Sequence, residues 1–170
     1  MLPPIITTAR YILKPYTVND LSRFLEISLD KEVSQFMGGT ADNAEEETKL
    51  FYKIFDIYSK DTERWFWIWG VYSDNKLCAH MELKQTDTTN SDELEIVYMV
   101  HPEERRKGLM SEVLSVIKQN QHKWDKRITA TVYPENKKSI ALLEKWGIEK
   151  TETRINESNN RPYLKLLLTV

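Results

Sequence analysis

The sequence predicts a mixed α/β domain in which an antiparallel meander is followed by a crossover connection. Three observations carry that prediction. Along the 170 residues the apolar pattern switches repeatedly between the two-residue alternation of strands and the three-to-four-residue spacing of helices. Runs 65–72 and 76–85 are aromatic or β-branched and are separated by Ser73-Asp74-Asn75, which is hairpin chemistry. The strand-like run 93–100 then passes through a short basic turn directly into an amphipathic helix, as chains do when they begin a crossover.

Residues 10–16 read as the first strand, ended by Pro15. Thr17 with Asp20 three positions on is a helix-start signal ahead of Leu21, Phe24, Leu25 and Ile27. Gly38-Gly39 breaks the chain. Asp42 and Glu45 then form a capping-box-like pair before Leu50, Phe51, Ile54, Phe55 and Tyr58, the apolar face of a second helix. After the hairpin, polar residues 86–92 loop back to strand 93–100, and the following helix turns Val113, Leu114, Val116 and Ile117 inward. Residues 128–133 give another strand, Asn136 opens a further helix and Gly147 ends it. Runs 151–155 and 163–169 are the final strands, on either side of the polar stretch 156–161.

A chain of this length buries roughly 70% of its unfolded surface as one unit, so a single domain over residues 1–170 is expected. Apolar content of 41% and charged content of 29% are those of a soluble globular protein. The formal net charge of −2 speaks against a general nucleic-acid-binding role, because no basic excess exists to displace counterions over a broad surface. Cys78 is the sole cysteine, which leaves no internal disulfide and no cysteine-based zinc site; no metal is expected, and a reducing, cytoplasmic setting fits best. Neither a basic-then-apolar leader nor a run of about 18 apolar residues is present, so secretion and membrane insertion are not expected.

The chemistry concentrates in residues 100–111, Val-His-Pro-Glu-Glu-Arg-Arg-Lys-Gly-Leu-Met-Ser. A helix that starts here presents its first free N–H groups and the positive end of its dipole to a polyanion. Gly108 removes a Cβ where a ligand must come close, and Arg105, Arg106 and Lys107 add positive charge. The order Arg105-x-x-Gly108 between strand and helix resembles the pyrophosphate loop of the GCN5-related N-acetyltransferases (GNAT). A second stretch at the right distance, residues 136–148, Asn-Lys-Lys-Ser-Ile-Ala-Leu-Leu-Glu-Lys-Trp-Gly-Ile, is similar to that family's later helix. Near the start, Thr8-Ala9-Arg10-Tyr11-Ile12-Leu13-Lys14-Pro15 and Asp20-Leu21 are similar to the opening of the RimJ/RimL-like branch, so the resemblance spans nearly the whole chain.

The resemblance implies a central, mostly antiparallel sheet flanked by helices, in which two strands, here 93–100 and 128–133, splay apart to receive the pantetheine arm of acetyl-CoA. It implies direct transfer of the acetyl group to a primary amine, a peptide or protein N-terminal α-amine or a small-molecule amine, by a monomer or homodimer. Arg105, Arg106, Lys107, Gly108, Leu109, Met110 and Ser111 would hold the pyrophosphate, although Met110 departs from the small residue of the broad family pattern. A backbone N–H near Met99 or Val100 would polarise the acetyl carbonyl. Asn136 would orient pantetheine, and as a helix N-cap it has a purely structural reason to be there too.

Many relatives place a tyrosine where this chain has Leu143, and leucine cannot protonate a departing thiolate. Positions 136, 139, 140 and 143 share one helical face, which makes Ser139 the nearest hydroxyl on it. Glu95 stands where related enzymes often hold a base and could take the amine proton through water; equally it is a carboxylate at the end of a half-buried strand. Glu93 and His80 are poorer bases, and His101 before Pro102 marks the strand end. The region from Phe24 to Tyr58 and the stretch 156–161 would gate the acceptor.

Two other readings stay open on sequence alone. Leu143 and the lack of an unambiguous acid or base fit a non-catalytic acyl-CoA sensor or interaction module. Trp65, Trp67 and Trp69 alternate on one strand face and could form a base-stacking platform for single-stranded RNA, but core packing is the better expectation without basic residues around them.

Overall fold

The computed structural model describes residues 2–37, 43–60, 64–156 and 159–168. Gly38, Gly39, Asp42 and Thr169, used above as break, cap and strand end, lie outside them.

Eight strands form one sheet in the order β1-β2-β3-β4-β5-β6-β8-β7. They are β1 Ile6–Thr7, β2 Ile12–Lys14, β3 Phe66–Ser73, β4 Lys76–Lys84, β5 Glu93–Val100, β6 Arg127–Val132, β7 Ile148–Asn156 and β8 Arg161–Leu168. Every neighbouring pair is antiparallel except β5 with β6. That single parallel pair requires a crossover, supplied by helix α4, Leu109–Asn120. The remaining helices are α1 Leu21–Ser28, α2 Lys31–Ser34, α3 Ala44–Ser59 and α5 Lys137–Lys145.

The local causes are visible in the residues. The β3–β4 hairpin turns on Asp74 and Asn75, both with positive φ, as a two-residue hairpin loop demands. The Thr17–Asp20 signal is a capping box, with the Asp20 carboxylate accepting from the Thr17 N–H at 2.8 Å and its hydroxyl at 2.9 Å. It caps a short 3-10 turn that runs on into α1. For α3 the cap is Asn43, whose Oδ1 accepts from the Glu46 N–H at 2.9 Å, and Glu45, Glu46 and Glu47 complement the dipole. Gly147, at φ +79, turns the chain so tightly that β7 begins at the next residue, three positions before the sequence pattern suggests. Two elements carry too few residues to show a period, β1 and α2, and neither was expected.

Helices pack on both faces, giving two apolar clusters. One joins α4 and Leu143 of α5 to Leu94, Ile96, Ile128 and Ala130 of the central strands. The other joins Phe24, Ile27, Phe51 and Ile54 to Tyr16, Ile68 and Met99. Trp67 and Trp69 of β3, and Trp65 just before it, pack in or against the first: Trp69 is fully buried with its indole N–H donating to the Pro4 carbonyl at 2.7 Å, and Trp67 meets Trp124 edge to face. They are core, not a stacking platform.

Candidate active site

The site follows from one irregularity in the ladder. Strands β5 and β6 pair only at Glu93–Arg127, Leu94–Ile128 and Glu95–Thr129; beyond that point β5 keeps its bonds to β4 while β6 turns to β8. A gap with main-chain groups on both edges is left between them. The N–H of Arg127 donates to Asp92 O at 2.8 Å, and that of His101 donates to Cys78 O at 2.9 Å. Alternation along β5 therefore turns the N–H of Tyr98 and Val100 into the gap and that of Met99 toward β4. Of the two positions expected to polarise a carbonyl, both line the cleft but only Val100 faces the opening with its N–H.

The cleft that grows from this gap has a volume of about 1560 Å³, enough for a large ligand together with a second molecule. Its inner walls are residues 95–100 on one side and 130–133 on the other. At one end stand Arg105, Arg106, Gly108, Leu109, Met110 and Ser111. Lys107, expected with them, does not line the cleft; its ammonium reaches Glu104 at 3.2 Å and its carbonyl accepts from Arg10 at 3.0 Å.

Gly108 is required by its backbone before any ligand is considered, because it caps α4 at φ +78, which L side chains rarely adopt. The first bond of the α4 ladder runs from the Glu112 N–H to Gly108 O at 3.1 Å, leaving the N–H groups of Leu109, Met110 and Ser111 without a helical acceptor. Glu112 ties this turn to the first strand region: its carboxylate accepts from the Thr8 hydroxyl at 2.6 Å and from the Arg10 N–H and Nε at 2.7 Å each. Arg105 is committed elsewhere, pairing with Asp30 and, at 3.2 Å, with Glu32 ahead of and within α2; Lys138 of α5 meets the same Glu32 at 3.2 Å. Arg106 makes no ion pair among the described residues.

Side chains of β5 alternate between the two faces, and the candidate reactive groups separate accordingly. Glu95, only 8% exposed, accepts a hydrogen bond from the Thr131 hydroxyl across the foot of the gap. Ser139, in the first turn of α5, lies on the opposite side, with its N–H capped by Asn136 Oδ1 at 3.2 Å. Its hydroxyl is 2.7 Å from that of Tyr98, a residue the sequence reading did not single out. Only its even parity in β5, shared with Leu94 and Ile96, could have placed it beside α5. Burial raises the Tyr98 phenol to about 12 even though the Ser139 contact draws it down. Leu143 is fully buried and lines the same cleft.

The other candidate bases, Glu93, His80 and His101, have partners that explain them. Glu93 is held by the buried Lys165 ammonium at 2.7 Å, by Arg127 at 3.1 Å and by Asn90 at 3.0 Å. His80 lies between the Tyr16 hydroxyl at 2.9 Å and Glu82 at 3.0 Å. His101 caps the 3-10 turn Pro102–Glu104 and contacts Glu26 at 2.9 Å, fastening the loop to α1. At the mouth, Val33, Phe36 and Met37 approach from the α2 side and Arg154, Ile155 and Asn156 from β7. Asn159 donates to the Tyr133 hydroxyl at 3.0 Å.

A splayed parallel pair, a glycine-capped helix and a capped α5 at the same cleft are the arrangement that the family sequence pattern describes, and the family's own sequence model, for the acetyltransferase (GNAT) domain, matches residues 10–149. The chain belongs to the GNAT acetyltransferases. Within them it is of the RimJ/RimL type. Solved structures share its fold. A GNAT-family acetyltransferase from Bacillus anthracis superposes with a TM-score of 0.78 at 19% identity over 96% of each chain. RimL, described as the ribosomal L7/L12 alpha-N-protein acetyltransferase, gives 0.79 at 12% over the whole of both chains. Mycobacterium smegmatis RimJ in complex with CoA-disulfide gives 0.77 at 17%, over 99% of this chain and 87% of that one. No curated protein sequence matches the chain. GNAT enzymes use acetyl-CoA and acetylate an amine acceptor. Among the described residues no helix is long and apolar enough to cross a membrane.

Proposed function

We propose that this enzyme, acting as one domain in the cytoplasm, transfers acetyl from acetyl-CoA directly to a primary amine, and that an α-amine of a peptide, protein or small molecule is its acceptor. The observation that carries the reading is the parting of β5 and β6 after Glu95 and Thr129, because the gap runs without interruption to the free N–H groups at the start of α4. The turn into α4 holds the pyrophosphate through the amides of Leu109, Met110 and Ser111, with Arg106 the uncommitted cation beside them and Lys107 turned away from the cleft. Asn136 caps α5 at the cleft and orients pantetheine. The Val100 N–H supports the thioester carbonyl as charge develops on its oxygen.

In the transfer, the amine nitrogen bonds to the thioester carbon, the carbon–sulfur bond breaks, and sulfur departs with the electron pair. Glu95 takes the proton that the nitrogen sheds, directly or through water, from the face opposite Ser139. Ser139 donates to the departing sulfur. A thiol of pKa near roughly 8.5 is a good leaving group, so that demand is modest. The nucleophile must be neutral. An α-amine of pKa about 7.7 to 8.0 meets this near neutrality, whereas a lysine amine near roughly 10.4 needs about 3.5 kcal/mol more than the α-amine to become neutral. The α-N-protein activity in the name of the RimL neighbour points the same way.

The test is release of free CoA thiol across peptides with free N termini, amino acids, polyamines and aminoglycosides, paired with CoA calorimetry. α-Amines should lead the panel, and Ser139→Ala should lower turnover about tenfold while changing CoA affinity much less. No heat on CoA addition overturns the reading.

A further inference from the structure

We infer that Tyr98 is a positioning residue for the leaving thiolate, acting through Ser139; this rests on the acetyl-transfer reading above. The two hydroxyls are 2.7 Å apart, one from β5 and one from α5, and both line the cleft on the side away from the Glu95 carboxylate. In a pair of hydroxyls one donates and the other is left with its own proton to direct. A phenol, with pKa about 10, is far more acidic than an aliphatic alcohol and is the better donor, whereas the serine oxygen is the better acceptor. Tyr98 Oη–H therefore donates to Ser139 Oγ. Among the described residues Ser139 Oγ has no other hydrogen-bond partner, since Asn136 Oδ1 is taken by the Ser139 N–H. The serine proton is thereby aimed into the open cleft, polarised by the phenol behind it.

This arrangement answers the question raised by Leu143. A tyrosine there would meet the thioester directly; here the phenol stands on the facing strand and reaches it through the first-turn hydroxyl. Tyr98 stays protonated at any ordinary assay pH, because burial holds its phenol near 12. The pair consequently stabilises the thiolate by hydrogen bonding and does not surrender a proton to it. The amine's proton leaves by the Glu95 side to solvent, and solvent reprotonates the sulfur once CoA departs.

The experiment follows the acid constant of the CoA thiol in its complex, by ultraviolet thiolate absorbance below pH 10 against the acetyl-CoA complex as blank, with CoA affinity from calorimetry. It compares the wild-type protein with Tyr98→Phe, Ser139→Ala and the double variant. The expected result is CoA affinity within a few-fold in all four, a bound thiol about tenfold less acidic in either single variant, and no further change in the double. Tyr98→Phe indistinguishable from wild type overturns the proposal, as do multiplying effects in the double variant, which would mean independent action. Loss of CoA binding in Tyr98→Phe alone also overturns it, by making the residue structural. If the wild-type protein gives no heat with CoA, the acetyl-transfer reading itself fails, an outcome distinct from the other three.

Discussion

At the proposed phosphate end of the cleft, the turn into α4 is a run of consecutive residues whose donors are main-chain amides, whereas at the proposed reaction end Glu95, Thr131, Tyr98 and Ser139 come from β5, β6 and α5, and 41 positions separate the two members of its hydroxyl pair. The first end is set by one glycine conformation and one helix start, so it works almost wherever the turn is placed. The second exists only if the β5–β6 gap and the packing of α5 on the sheet are both right. Affinity and turnover should therefore fail separately.

The largest expected effect is at Gly108. Valine there must adopt φ +78, costing about 1 to 2 kcal/mol or more, and its Cβ would come within 3.4 Å of the Arg10 guanidinium that braces this turn, so the free amides lose their orientation. Calorimetry should show CoA affinity falling at least about a hundredfold in Gly108→Val, with circular dichroism unchanged. Affinity preserved within a few-fold would mean that the amides of α4 are not the phosphate site. Next comes Glu95→Gln, which keeps an acceptor for the Thr131 hydroxyl while removing the base. Turnover should drop about a hundredfold at unchanged CoA affinity. A loss of melting temperature without loss of turnover would recast Glu95 as a strut between β5 and β6.

The smallest effect concerns pH. Tyr98 ionises near 10 in the unfolded chain and near 12 in the folded one, so the native state holds that proton more tightly. Its contribution to stability is complete below about pH 10 and disappears as pH rises toward 12, a change on the order of 2 to 3 kcal/mol. Burial raises Tyr16, Tyr58 and Tyr72 in the same direction. Denaturant unfolding should show stability flat up to about pH 10 and falling above it, with a shallower fall in Tyr98→Phe. A fall of equal slope in that variant would mean that the phenol is not buried in solution.

Local structure was readable wherever a residue type answers a local demand. Asp74-Asn75 reads as a turn because both residues tolerate positive φ, and Asn136 and Gly147 delimit α5 because one accepts from a backbone N–H and the other adopts φ +79. The short pieces β1 and α2 escaped, since their 2 and 4 residues cannot display a period. At the site, Gly108 and Ser139 were legible from motif and helical face. Arg105 and Lys107 looked equivalent to Arg106, but their actual partners, Asp30, Glu32 and Glu104, depend on where α2 and the 3-10 turn settle.

By itself the sequence determined the order of the longer elements, the glycine-capped start of α4 and the face of α5 that carries Ser139, because each follows from backbone conformation or from the period of a single strand or helix. Tertiary structure alone decided that β6 leaves β5 after Thr129, that Glu95 and Ser139 stand on opposite faces, and that Tyr98 meets Ser139. The physical reason is that a strand's hydrogen-bond partners, and the side chains thereby brought within 3 Å, are chosen by the competition of whole elements for one another's edges, which no local stretch of residues encodes.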